Sequence, residues 1–158
     1  MKKFYPRLLI IICLIASSLC SAGNITQQQP LSFGIIALTD NNSTHKLHMS
    51  FAGDITADPA YIMIEYGHPA EFLLSDFPAN TALNITILVP SVTTELAGQT
   101  DPSTSQFTID QHHTFAPIVT TDLMGEATIN VGATLTSSGT GFYKDAIYFS
   151  RMTIVIDY

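Results

Sequence analysis

The stretch from Ala146 to Tyr158 sets the tightest limit on what this chain can fold into. It reads Ala-Ile-Tyr-Phe-Ser-Arg-Met-Thr-Ile-Val-Ile-Asp-Tyr. Every second residue counted back from the end gives Tyr158, Ile156, Ile154, Met152, Ser150 and Tyr148, a nearly continuous apolar set. The other set, Asp157, Val155, Thr153, Arg151, Phe149 and Ile147, mixes polar and apolar groups. Side chains of a strand alternate between its two faces, so the first set forms one apolar face. Burying Tyr148, Met152, Ile154 and Ile156 contributes about 1.5–3 kcal/mol for each side chain. The net stability of a small domain is roughly 5–15 kcal/mol, so such a strand cannot be left without a sheet. The pattern predicts one long strand closing a β-sheet, with Tyr148, Met152, Ile154, Ile156 and Tyr158 as its core face. Ile147, Phe149 and Val155, on the second face, admit two readings. A strand covered on both sides buries them in part; a strand that recruits a partner presents them as its interface.

The N-terminus carries a different signal. Lys2, Lys3 and Arg7 form a basic region, Leu8 to Ala16 is apolar, and small residues lead to Ser21-Ala22-Gly23. This is the pattern of a cleaved secretory signal peptide over residues 1–22, with residues 23–158 as one domain. The apolar run is short of the roughly 20 residues that a membrane span needs. Acylation at Cys20 is an alternative, set back by the bulky Leu19 before it. Both cysteines, Cys13 and Cys20, fall in this leader, so the exported domain holds no disulfide and must rest on its hydrophobic core. Removing the three leader cations takes the formal charge from −7 to −10, leaving Lys46, Lys144 and Arg151. Nucleic acid is excluded as a partner, since a phosphate backbone needs clustered Lys and Arg. The predicted location is bacterial periplasm, outer surface or medium.

Along the chain, Asn24 to Gln29 reads as a polar lead-in. Strands are predicted at Leu31–Leu38, with a bulge or close approach at Gly34, and at His45–Phe51, with Leu47, Met49 and Phe51 on one face. Others fall at Ala60–Tyr66, Glu71–Ser75, Leu83–Val89, Phe107–Ile109 and Thr114–Thr121, the last at an edge because of Pro117. From Gly125, Ala127, Ile129, Val131, Ala133 and Leu135 share a face. Leu96 to Ser105 has the composition of an exposed loop. About eight or nine strands separated by turn signals, with no helical period, predict an all-β, immunoglobulin-like antiparallel sandwich.

Two segments carry a resemblance. Gln29-Pro30-Leu31-Ser32-Phe33-Gly34 stands near the start; Gly125 to Leu135, then Gly141-Phe142-Tyr143, then the strand ending in Tyr158 stand near the end. Together they resemble the bacterial exported family known as domain of unknown function 4402. More distantly, the chain is similar to the sandwiches of spore-coat U and archaic chaperone–usher pilins. The resemblance implies a sandwich at or outside the cell envelope and carries over no catalytic residue. It also implies possible partners: other envelope or pilus subunits, or a periplasmic chaperone. Residues 24–29 hold one apolar side chain, Ile25, too few for a conventional donor strand.

Chemistry-bearing motifs are absent. The sequence has no Gly-x-Ser-x-Gly and no His-Glu-x-x-His. His45 and His48 point to opposite strand faces, as do His112 and His113, so solvated or loop histidines are expected and no metal or cofactor. The expected function is that of an exported structural or interaction protein working by strand pairing, not an enzyme. The alternative is a free-standing binding module or adhesin that recognises its ligand through loops.

Overall fold

The computed structural model describes residues 23–89, 91–95 and 104–158. The expected leader and most of the loop from Leu96 lie outside the described residues. The described strands are β1 Asn24–Gln29, β2 Ser32–Leu38, β3 Lys46–Met49, β4 Ile55–Ala57, β5 Tyr61–His68, β6 Ala70–Ser75 and β7 Ala82–Leu88. There follow β8 Ser91–Val92, β9 Thr94–Glu95, β10 Thr108–Thr114, β11 Ile118–Thr120, β12 Ala127–Thr136, β13 Tyr148–Phe149 and β14 Thr153–Asp157. Every ladder between them is antiparallel.

The larger sheet grows around β12. Its first half pairs with β6, Ala127 opposite Leu74 through Val131 opposite Ala70. Its second half pairs with β3, Ala133 opposite Met49, and with β10, Leu135 opposite Ile109. Val131 and Ala133 have no exposed surface, and Ile129 and Leu135 have almost none. The period-two face predicted from Ile129 to Leu135 is therefore the wall of the core. β1, β8 and β4 extend this sheet outward.

The opposite layer comes in two parts, β2 with β5 and the run β11-β7-β14. Two apolar clusters fill the space between layers. One joins Phe72 and Leu74 of β6 and Ile129 and Val131 of β12 to Leu83 and Ile85 of β7, with Met152, Ile154 and Ile156 packed on it. The other joins Leu47, Ile109, Ala133 and Leu135 to Tyr61, under Phe33, Ile36 and Leu38 of β2. The result is a two-layer, all-β sandwich. At Gly34 the backbone takes φ of 80°, and a Cβ there would collide with the Glu65 carbonyl. Only glycine fits that approach of β2 to β5, next to a register shift at Ile35 and Ile36.

Several elements differ from expectation. Asn24 to Gln29 is no lead-in: it pairs with β6 from Asn24 opposite Ser75 to Gln29 opposite Glu71, with a register shift between Gln27 and Gln29. Backbone pairing needs no apolar side chain, so its exposed polar residues gave no signal. Phe51 leaves the face it was expected to share with Leu47 and Met49, because Ser50 bonds Asp54 and closes a turn. Thr114 to Thr121 is not one strand. β10 ends at Thr114, and after Pro117 the chain enters the other layer as edge strand β11. The predicted long final strand is broken in two, β13 and β14, which belong to different ladders.

The face assignment within β14 generates a direct test. Ile154 packs on the first cluster whereas Val155, its neighbour, is 40% exposed. Ile154→Asp is expected to cost roughly 2–3 kcal/mol, by placing a charge against apolar side chains. Val155→Asp is expected to cost less than about 1 kcal/mol. Urea unfolding midpoints measure both; equal midpoints would overturn the face assignment, and a lower midpoint for Val155→Asp would mean that the faces are reversed.

Candidate functional site

The C-terminal segment brings the predicted residues to two places. Phe149 of β13 pairs with Thr94 of β9, and Ser150 to Met152 turn away before β14 joins β7 at Thr153 opposite Leu88. Ile147 is 63% exposed, and Phe149 and Val155 are each 40% exposed, so among the described residues the last two are partly covered and Ile147 is mostly open. Of the predicted core face, Met152, Ile154 and Ile156 lie on the first cluster. Tyr148 lies on the second, among Phe107 and Tyr143, with ring centroids 5.3 and 5.9 Å away. Tyr158 departs from the expectation. It is 58% exposed, and its ring meets Phe77 edge to face at 5.1 Å. The last apolar position of the alternation thus stays at the rim.

Among the described residues, β14 pairs only with β7, and β2 pairs only with β5. The layer they share thus changes from one part to the other without a ladder. Leu31, which packs against both clusters, marks the seam. The edges of β2 and β14 therefore lie beside core side chains that are only partly buried, among them Phe33, Ile36, Met152, Ile154 and Ile156.

The histidines were read by neighbours in sequence, and the structure pairs them across strands. His48 stands opposite Thr134, and His113 stands opposite Gly132 on the same face of β12. Their rings meet edge to face with centroids 4.4 Å apart. Both reach the Thr134 hydroxyl, His48 Nδ1 at 3.2 Å and His113 Nε2 at 2.9 Å. Thr134 is 7% exposed on what is otherwise the outer face of the sheet, because the two imidazoles lie over it. Gly132 lets the end of β3 come in close, since a Cβ there would collide with the Met49 carbonyl. Burial and the neighbouring His48 ring hold the His113 pKa below its usual value. The signal that was available was the residue type at one face of three neighbouring strands, which needs the register to be seen.

His112 points the other way. Its Nδ1 is buried with no hydrogen-bond partner, and burial, helped by the His113 ring, lowers its pKa. A histidine whose folded pKa lies below its unfolded value binds fewer protons when folded, so stability rises with pH through that window. Its contribution is complete above the unfolded pKa, about 6.5, and is lost as pH falls from there through the folded value. Urea midpoints measured between neutral and mildly acid pH should fall on acidification, and the slope should shrink in His112→Leu. An unchanged slope in that variant would place the proton uptake elsewhere.

Away from the sheets, the 39–42 and 139–143 loops enclose a cleft of about 650 Å³. Asn41 ties the two walls, donating to the Thr140 carbonyl at 2.8 Å and accepting from the Gly139 N–H at 3.0 Å. The Asn42 backbone N–H holds the Asp40 carboxyl below the usual carboxylate range. Phe142 is 85% exposed at this cleft. Of the Leu96 to Ser105 loop predicted as exposed, only Thr104 and Ser105 are described. Thr104 is buried and bridges Phe142. No group of three or more His, Cys, Asp or Glu side chains that could hold a metal ion occurs among the described residues. No described helix is long and apolar enough to cross a membrane.

Two antiparallel layers around a single-chain core, with open edges and loop clusters, define this as an all-β sandwich domain. The family model described as a domain of unknown function, DUF4402, matches residues 24–158, and the chain belongs to that family. No curated protein and no solved structure matches it.

Proposed function

We propose that the protein is an exported structural or interaction subunit of the bacterial envelope that works by strand pairing. The observation that carries this reading is the divided second layer. Among the described residues, β2 and β14 each keep one edge without a ladder, beside apolar side chains that are only partly buried. An added strand gains backbone hydrogen bonds from such an edge and specificity from pockets for alternate side chains. Left open, the same edge invites association with other chains. Val155 on β14, and Ile147 and Phe149 beside the break, are exposed apolar side chains that a partner strand or chaperone would cover. The distant likeness to spore-coat U and pilin sandwiches points the same way. No catalytic step is assigned.

A second reading rests on the cleft beside Phe142, whose Asn, Asp and Thr lining suits a ligand rich in hydroxyl groups. In that reading the protein is a free-standing module or adhesin. The two separate in solution. The protein is produced with its own leader, purified without partners, and its mass is measured by light scattering with and without a Val-Thr repeat peptide. Strand pairing predicts self-association that the peptide suppresses, together with a higher unfolding temperature when peptide is bound. A cooperative monomer on which the peptide has no effect moves the assignment to the binding module.

A further inference from the structure

We propose that His48 and His113 form a two-imidazole site for a divalent transition-metal ion of the zinc or copper kind, on the outer face of the larger sheet. The inference is independent of the strand-pairing reading. It starts from convergence: one ring nitrogen of each histidine lies within 3.2 Å of the same atom, Thr134 Oγ1. The two rings come from β3 and β10, which flank β12 on opposite edges, so their backbones are fixed by ladders on both sides.

The hydrogen bonding there fixes the protonation of both rings. A threonine hydroxyl carries one proton to donate, so it serves as donor to one of the two ring nitrogens and not to both. The other nitrogen must itself be protonated to bond that oxygen, which fixes its tautomer. A metal ion takes the lone pairs of both nitrogens in place of these two hydrogen bonds, once the protonated ring has shifted its proton to its other nitrogen, with water or the Thr134 hydroxyl in its remaining positions. Neutral nitrogen donors select zinc, copper or nickel; calcium and magnesium require oxygen ligands. The charge around the pair permits a cation: Lys46, two residues before His48 on β3, lies 3.8 Å from the Asp110 carboxylate, which also accepts from the Thr136 hydroxyl.

The other histidine with acidic neighbours is arranged differently. His45 presents Nε2 to Asp40 at 3.7 Å and Nδ1 to Asp58 at 4.0 Å. Those nitrogens lie on opposite sides of one ring, so the two carboxylates do not converge on one ion. His45 therefore serves as the internal comparison.

The test uses the exported protein at neutral pH, with nitrogen-15 in its imidazoles, titrated with zinc chloride and followed by NMR. The expected result is a saturable shift of the His48 and His113 ring nitrogens together, with His45 and His68 unmoved. Either His48→Gln or His113→Gln, which keeps a partner for Thr134, should weaken zinc binding at least tenfold. Shifts confined to one ring of the pair, shifts at His45 alone, no saturation, or unchanged affinity in both variants each overturn the proposal. The spectra of the unaltered protein decide the matter even if a variant fails to fold.

Discussion

The structure depends on β12 more than on any other element. A strand has two edges and two faces, and β12 uses all four. One edge takes β6 and then β3, the other takes β10. Its inner face supplies Ile129 and Val131 to one apolar cluster and Ala133 and Leu135 to the other. The small side chain of Ala133 beside larger neighbours matches the close packing that protein interiors require. Its outer face is covered at Thr134 by the two imidazoles. Without cysteines in the described domain, this convergence does the work that a disulfide does in many exported proteins.

Much of this was legible because β12 obeys a simple period. Ile129, Val131, Ala133 and Leu135 alternate with polar or small residues, and all four are buried; Gly132 and Thr134 on the other face are buried as well, beside the end of β3 and the two imidazoles. Leu47 and Met49 of β3, and Leu83 and Ile85 of β7, were visible for the same reason. The final segment was harder. Its apolar parity holds from Tyr148 to Ile156, yet the two halves serve different clusters and different ladders. Parity records which face a residue takes and is silent about which strand lies beside it. The break at Ser150 to Met152 preserves the parity, so the pattern could not disclose it.

The surface features were less legible, for two physical reasons. β1 is held by backbone groups, which every sequence possesses, so its polar side chains suggested a lead-in. The pairing of His48 with His113 depends on the register of three strands that are far apart in sequence. Sequence neighbours gave only the local alternation, which correctly separates His112 from His113. Alternation places His113 outward and His112 inward, and the structure shows one on Thr134 and the other with a buried, unsatisfied nitrogen. Loop geometry such as the Asn41 lock depends on carbonyls presented by a distant turn, which no residue type encodes.

The position of β12 late in the chain has a kinetic consequence. His48 and Thr134, opposite each other in the β3–β12 ladder, are 86 residues apart. Loops of that length must close before the contacts inside them form, and folding slows as the mean separation of contacting residues grows. Synthesis from the N-terminus delivers β3 and β6 first and β12 much later. Through that interval Leu47, Met49, Phe72 and Leu74 have lost their eventual partner and remain open to other strands. Such a domain spends its most vulnerable period before residues 127–136 have been made, when half of its core wall is still missing.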